Sequence, residues 1–222
     1  MLQVQGPTSL QVLSAAADAG MPEPFAYFGV VEIDLGGQPV IVSRTGWTAE
    51  RGFEVYTRGA QTDALALWSH LMVCGAEFGL GYSGLESMGI RRIEAGILDN
   101  GTDMNPTLTP YAAGLGAFVN LEQSDFIGRD ALRIALRDVR LLGITCAQAA
   151  PERGAAVFAG EREVGVITTG VWSPELDCGI GYVRLACVYR EQALQVASGP
   201  TTLPVAVTGL PFYDKQKRLP CD

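Results

Sequence analysis

The sequence predicts an α+β region followed by a small all-β domain, a barrel or a sandwich, with the change near Asp138. Three observations carry this. Before Asp138, segments with apolar residues three or four apart alternate with a hairpin signal. After it, short strand-like runs recur at regular intervals between turn residues. Glycine makes up 27 of the 222 residues, as many tight turns and bent strands require. A chain of this length can bury a sizeable core without disulfides.

The elements follow in order. Pro7 with Thr8 or Ser9 opens a helix that Gly20 closes, with Leu10, Leu13 and Ala17 on its buried face. Residues 27–35 are rich in β-branched and aromatic types. Gly36-Gly37 turns the chain, and residues 39–44 return as the second strand of a hairpin. Gly46 and Gly52 bracket a polar loop. The strand over residues 52–57 then puts Phe53 and Val55 on one face and Glu54 and Tyr56 on the other. A helix is expected over 61–77, with Leu65, Trp68, Leu71 and Met72 toward the core and His70 off that stripe, on the helix surface. The spacing then predicts a helix over 83–91, a strand over 92–97, a long loop over 99–110, a short strand near 118–119 and a helix over 129–137. Strands are expected at 140–146, 155–158, 163–170, 180–185, 193–197 and 203–208. The expected domains are therefore 1–137 and 138–222.

Composition excludes several function classes. Sixteen Lys plus Arg against twenty-four Asp plus Glu give a net charge of −8, which argues against a general nucleic-acid binder or a polybasic membrane anchor. His70 is the single histidine, so a zinc site built from several histidines is excluded. The five cysteines (Cys74, Cys146, Cys178, Cys187, Cys221) form no CxxC pair, and their spacing predicts a reduced, cytoplasmic protein. The start, MLQVQGPTSLQ, lacks the basic and apolar regions of a signal peptide, and no stretch has the length of a membrane span. There is no phosphate-binding P-loop and no GxGxxG. Gly81-Tyr82-Ser83-Gly84 falls short of a nucleophile elbow and is read as a turn capping a helix. Asp99 and Asp103 share a Gly/Asn-rich loop without the carboxylate spacing of a calcium site, so no metal site is expected.

Several stretches carry more. TGWTAERGFEVY (residues 45–56) resembles the GYTGEDGFEI signature of the glycine cleavage T-protein, or aminomethyltransferase, family. RRIEAGILDNGTDMNPTLTP (91–110) is similar to that family's LRLEAG…YGxDI…TP segment, and DFIGRDAL (125–132) to its DFIGREAL. VGVITTGVWSPEL with the following IGYV (164–183) is similar to its GxVTSGxxSPxL…GYV run, and PFYD (211–214) recurs in relatives. The resemblance spans nearly the whole chain. It implies part of a folate-binding α+β domain followed by a C-terminal all-β barrel, with tetrahydrofolate as the cofactor that accepts a one-carbon unit. The donor would be a small methylated or aminomethylated amine or sulfonium compound. The alternative is a non-catalytic folate binder, or an inactive fragment of the same family.

Site residues follow from the resemblance position by position. Glu54 aligns with the pterin-binding glutamate, where one carboxylate accepts an amino group and a ring N–H side by side. Trp47 stands where the family has Tyr and either flanks the folate, without a hydroxyl, or packs on the strand as a loop aromatic. Arg92 matches the Arg of LRLE and either holds a carboxylate or braces the fold. Asp103 matches the acid of YGxD and is read as holding its loop by bonds to backbone. Met88 replaces a family Arg. Arg91, three residues on, would point about 300° round a helix from that position. Asn100 replaces a Tyr. These departures fit the demethylase-like branch that includes dimethylsulfoniopropionate demethylase, or a folate binder with altered substrate. The family's chain is longer at its N-terminus and carries its catalytic aspartate there, so the catalytic residue is unknown from this sequence. A homodimer, or a partner supplying that half, is the corresponding expectation.

Overall fold

The computed structural model describes residues 1–221. They form two compact units, Met1–Arg92 with the tail from Gln216, and Ile93–Lys215. The units divide at 92/93, whereas the switch to strand-rich sequence falls at 139, where the first strand of the second unit begins.

The first unit is built on four strands, β1 (Leu2–Gln5), β2 (Val30–Leu35), β3 (Gln38–Ser43) and β4 (Gly52–Thr57). They form one antiparallel sheet in the order β1-β4-β3-β2, with β2 and β3 as the expected hairpin. At the hairpin turn, Gly36 and Gly37 both have positive φ, and their N–H groups donate to the Asp18 carboxylate at 2.9 and 2.8 Å. The edge strand β1 pairs with β4, Gln3 opposite Glu54. Four residues give too little alternation for β1 to be read from the sequence.

Two helices cover one face of this sheet. They are α1 (Ser9–Ala16) and α2 (Ala64–Gly75), the latter capped by Asp63, which accepts from the N–H groups of Leu65 and Ala66. Val12, Leu13, Ala16, Leu67 and Leu71 pack there on Val40, Val42, Phe53 and Val55. On α1 the innermost positions are thus Val12, Leu13 and Ala16, while Leu10 and Ala17 are half-buried at its margin. The buried stripe of α2 is Leu67, Leu71 and Gly75, not the expected Leu65, Trp68, Leu71 and Met72. Leu65 is exposed and Trp68 meets Tyr82 edge-on at 6.1 Å. Both stripes share Leu71 and have helical spacing, and only docking on the sheet selects between them. His70 is half-buried, its Nε2 2.9 Å from the Ala16 carbonyl oxygen, with the ring over Gly36.

A third helix, α3 (Leu85–Glu94), runs on past residue 92, where the sequence predicts the start of a strand. Gly96, with φ of 72°, ends that segment, and no strand forms over 92–97. The carbonyl oxygens of Ile93 and Ile97 accept from the Tyr182 hydroxyl at 3.1 Å, so the turn replaces a ladder partner with a buried phenol. The expected strand at 118–119 is a single 3-10 turn, Gly116–Phe118, and α4 is Arg129–Ile134.

The remaining strands are β5 (Val139–Cys146), β6 (Ala156–Ala159), β7 (Arg162–Ser173), β8 (Cys178–Ala186), β9 (Leu194–Ser198) and β10 (Thr201–Thr208). All lie in the second unit and close into a six-stranded antiparallel barrel, β10-β5-β8-β7-β6-β9. Ile144, Val157, Ile167, Val183, Leu185, Leu194 and Val196 fill its interior. Closure leaves no free sheet edge. Gly170 and Gly179 have no room for a side chain, since a Cβ would lie within 2 Å of the carbonyl oxygens of Pro151 and Ala149. Among the described residues no helix is long and apolar enough to cross a membrane.

Candidate functional site

The face of the first sheet opposite α1 and α2 carries the polar residues. Alternation along β4 buries Phe53 and Val55 and puts Glu54 and Tyr56 on this second face, as the sequence predicts. Glu54 is half-buried there. Its Oε2 accepts from the Thr45 hydroxyl and, at 3.0 Å, from the Tyr56 hydroxyl. Among the described residues its Oε1 accepts only a long bond of 3.4 Å, from Gln3 Nε2. A carboxylate offers about four lone-pair positions, so capacity remains on the Oε1 side. The Tyr56 phenol is held above its ordinary value of 10.0, first by partial desolvation, then by donating to Glu54 and by that group's negative charge.

The polar loop before β4 is anchored from two sides. Gln5 of β1 inserts its carboxamide between Gly46 and Gly52, where a Cβ at either position would come within 2.2 Å of it. The Gln5 amide donates to the Phe53 carbonyl oxygen at 3.3 Å and accepts from the Thr48 hydroxyl at 2.8 Å. The two glycines that mark the loop therefore make room for a side chain from a neighbouring strand. On the other side, Arg91 of α3 pairs with Glu50 of the loop. Arg92 is buried, with its guanidinium 5.9 Å from the centre of the Trp47 ring.

Two of the three sequence-predicted site residues, Trp47 and Arg92, are thus in contact. Glu54 joins the same loop through Thr45. Gln3, Gln5, Thr45 and Tyr56 belong to the site without being predicted for it. The Tyr56 position is legible in the sequence, since it shares β4's polar face with Glu54. The two glutamines are not, because their role depends on β1 pairing with β4.

Asp103 behaves as the sequence reading expects, and more. It is fully buried in the second unit, and its Oδ2 accepts from the Asp99 N–H at 2.9 Å. Its Oδ1 accepts from the Thr168 hydroxyl at 2.8 Å. Thr168 sits where the β7–β8 register shifts, between Ile167 and Thr169. Among the described residues no group of three or more His, Cys, Asp or Glu is placed to hold a metal ion.

Comparison with known proteins adds three findings. The family model of the GCVT N-terminal domain matches residues 1–123, and that of the glycine cleavage T-protein C-terminal barrel domain matches residues 140–214. The chain is 36% identical to an aminomethyltransferase of Saccharopolyspora erythraea over 221 residues, covering 96% of this chain and 59% of that protein. It is 33% identical to an aminomethyltransferase of Geobacillus sp. over 223 residues, covering 97% and 61%. In fold it is similar to the crystal structure of glycine cleavage system aminomethyltransferase T from Bartonella henselae. The TM-score is 0.80 at 24% identity, over 94% of this chain and 58% of that one. The chain spans about three-fifths of the length of these relatives.

Proposed function

The chain belongs to the glycine cleavage T-protein family, joining its GCVT N-terminal domain to its C-terminal barrel, and on that basis we propose that it takes part in tetrahydrofolate-dependent one-carbon transfer. The observation that carries this is Glu54, presented on a sheet face with hydroxyl donors on one oxygen and spare acceptor capacity on the other.

The residues fit a pterin edge. Such an edge offers an amino group and a ring N–H side by side, and a carboxylate accepts both through charge-assisted bonds. Thr45 fixes the carboxylate plane from the loop. Full bidentate pairing requires Tyr56 to give up its place on Oε2, which its partial exposure permits. Trp47 supplies an aromatic flank, and Arg92 braces the indole with its guanidinium 5.9 Å from the ring centre. When bound, tetrahydrofolate supplies N5 as the acceptor of the one-carbon unit. The contribution of this chain is orientation, which removes an entropic cost from the transfer. The finer reading is a demethylase-like donor, a methylated amine or sulfonium compound. Met88 and Asn100, standing where the family has Arg and Tyr, support it.

Calorimetric titration of tetrahydrofolate into the purified chain and into Glu54→Gln tests the proposal. Binding should weaken in the variant by about 1–3 kcal/mol, the cost of leaving a polar group without its partner. Binding unchanged by the substitution removes Glu54 from the site. Absence of binding to either protein rejects folate as the ligand of this chain.

A further inference from the structure

The helix-covered side of the first unit holds a concavity, which the pterin reading does not use. It has a volume of about 540 Å³ and lies between α1, the 22–26 segment and the loop before β4. That is within the roughly 300–1,000 Å³ of small-molecule sites. Phe53 lines it, and Phe53 and Glu54 are neighbours in β4 that point to opposite faces. The two sites are therefore separate.

The walls are apolar. Leu10, Pro22 and Pro24 line them with a stacked pair, Phe25 and Phe53, whose ring centres are 5.8 Å apart. The polar groups are Arg44, Arg51 and Glu23. Arg44 donates to two carbonyl oxygens, of Phe25 at 2.6 Å and Cys221 at 2.9 Å, which orient its guanidinium without cancelling its charge. The Arg51 backbone is fixed, its carbonyl oxygen accepting from the Gly6 N–H and the Ser9 hydroxyl at 2.8 and 3.1 Å. Among the described residues the Arg51 guanidinium has no hydrogen-bond, ion-pair or ring partner, a rare disposition for a half-buried cation. The pocket thus carries one net positive charge in a chain whose net charge is −8.

We infer that this pocket is a binding site for a monocarboxylate with an aromatic body, the ring packing on Phe25 and Phe53 and the carboxylate pairing with Arg51. A guanidinium presents a planar fork that matches a carboxylate bidentately, which Arg51 at an apolar wall is suited to exploit. An offset ring on the phenylalanine pair adds the area that a small anion alone would lack. Glu23 at the same pocket disfavours a second negative charge.

Phenylacetate is the probe, with phenylacetamide as its neutral counterpart of the same shape. Titration of the full chain, followed by NMR, should shift signals of Leu10, Phe25 and Phe53. Arg51→Gln should weaken binding at least about tenfold, the worth of one charge-assisted hydrogen bond. Arg51→Lys should keep part of it, and thermal unfolding of both variants checks that they fold. Glu54→Gln should bind phenylacetate as the parent does, so this result stands apart from the pterin reading. No binding of phenylacetate, equal binding by Arg51→Gln, or equal binding of phenylacetamide would overturn the inference.

Discussion

Asp103 in the second unit and Glu54 in the first come from stretches of similar kind, each an acid in a glycine-rich segment, yet the fold treats them oppositely. Asp103 is wholly inside, with both oxygens taken, one by backbone of its own loop and one by a hydroxyl on a barrel bulge. Glu94, buried in the same unit, likewise accepts from the Ser173 hydroxyl at 2.5 Å. Glu54 is half-buried, on a sheet face, with its hydroxyl donors on one side only. A carboxylate closed in on all sides secures a fold. One held in place yet still accessible can exchange a donor for a ligand.

The largest expected effect falls on the closed carboxylate. Asp103→Ala strands the Thr168 hydroxyl and the Asp99 N–H and should cost about 2–4 kcal/mol. A fall in the urea midpoint at unchanged slope would register it. A loss below about 1 kcal/mol would make Asp103 as dispensable as a surface acid and break the contrast.

Glu54→Gln should be milder for stability, under about 1 kcal/mol, because an amide keeps an acceptor for Thr45 and Tyr56 and the site is partly solvated. The same urea titration measures it. A loss as large as that of Asp103→Ala would make Glu54 a structural residue and weaken the case for a site.

The smallest effect is a titration. The Tyr56 phenol is held above 10.0, so the folded chain retains a proton that the unfolded chain has already released. Its contribution to stability is complete below pH 10 and is lost as pH rises through the folded value. Absorbance at alkaline pH should place the Tyr56 transition lower in Glu54→Gln than in the parent chain. An unchanged transition would mean that Glu54 does not hold the phenol, and that burial alone raises it.

Much of this is legible in the residues. The β2–β3 hairpin, the division of β4 into a core face and a polar face, and the six barrel strands all follow from local alternation and turn chemistry. Other elements differ from expectation. In residues 92–97 the local pattern suits a strand, but α3 runs on to Glu94 and Gly96 ends it, and at 118–119 the chain closes a 3-10 turn instead. On α2 two stripes have equal helical spacing, and the sheet takes the one with Leu67.

The β2–β3 hairpin, the strand-rich second half and the placing of Glu54 on a face apart from Phe53 all depend on residues near each other in the chain, and the sequence alone dictates them. What surrounds Glu54 is a matter of tertiary structure. Gln3 and Gln5 reach the site across about fifty residues of chain, because β1 pairs with β4. The reason for Gly46 and Gly52 lies in the Gln5 carboxamide that fills the space between them. The aromatic pocket lined by Arg51 likewise exists only where α1, the 22–26 segment and β4 converge. Alternation along a strand is a local property, whereas the partners of a side chain depend on long-range pairing that no single segment encodes.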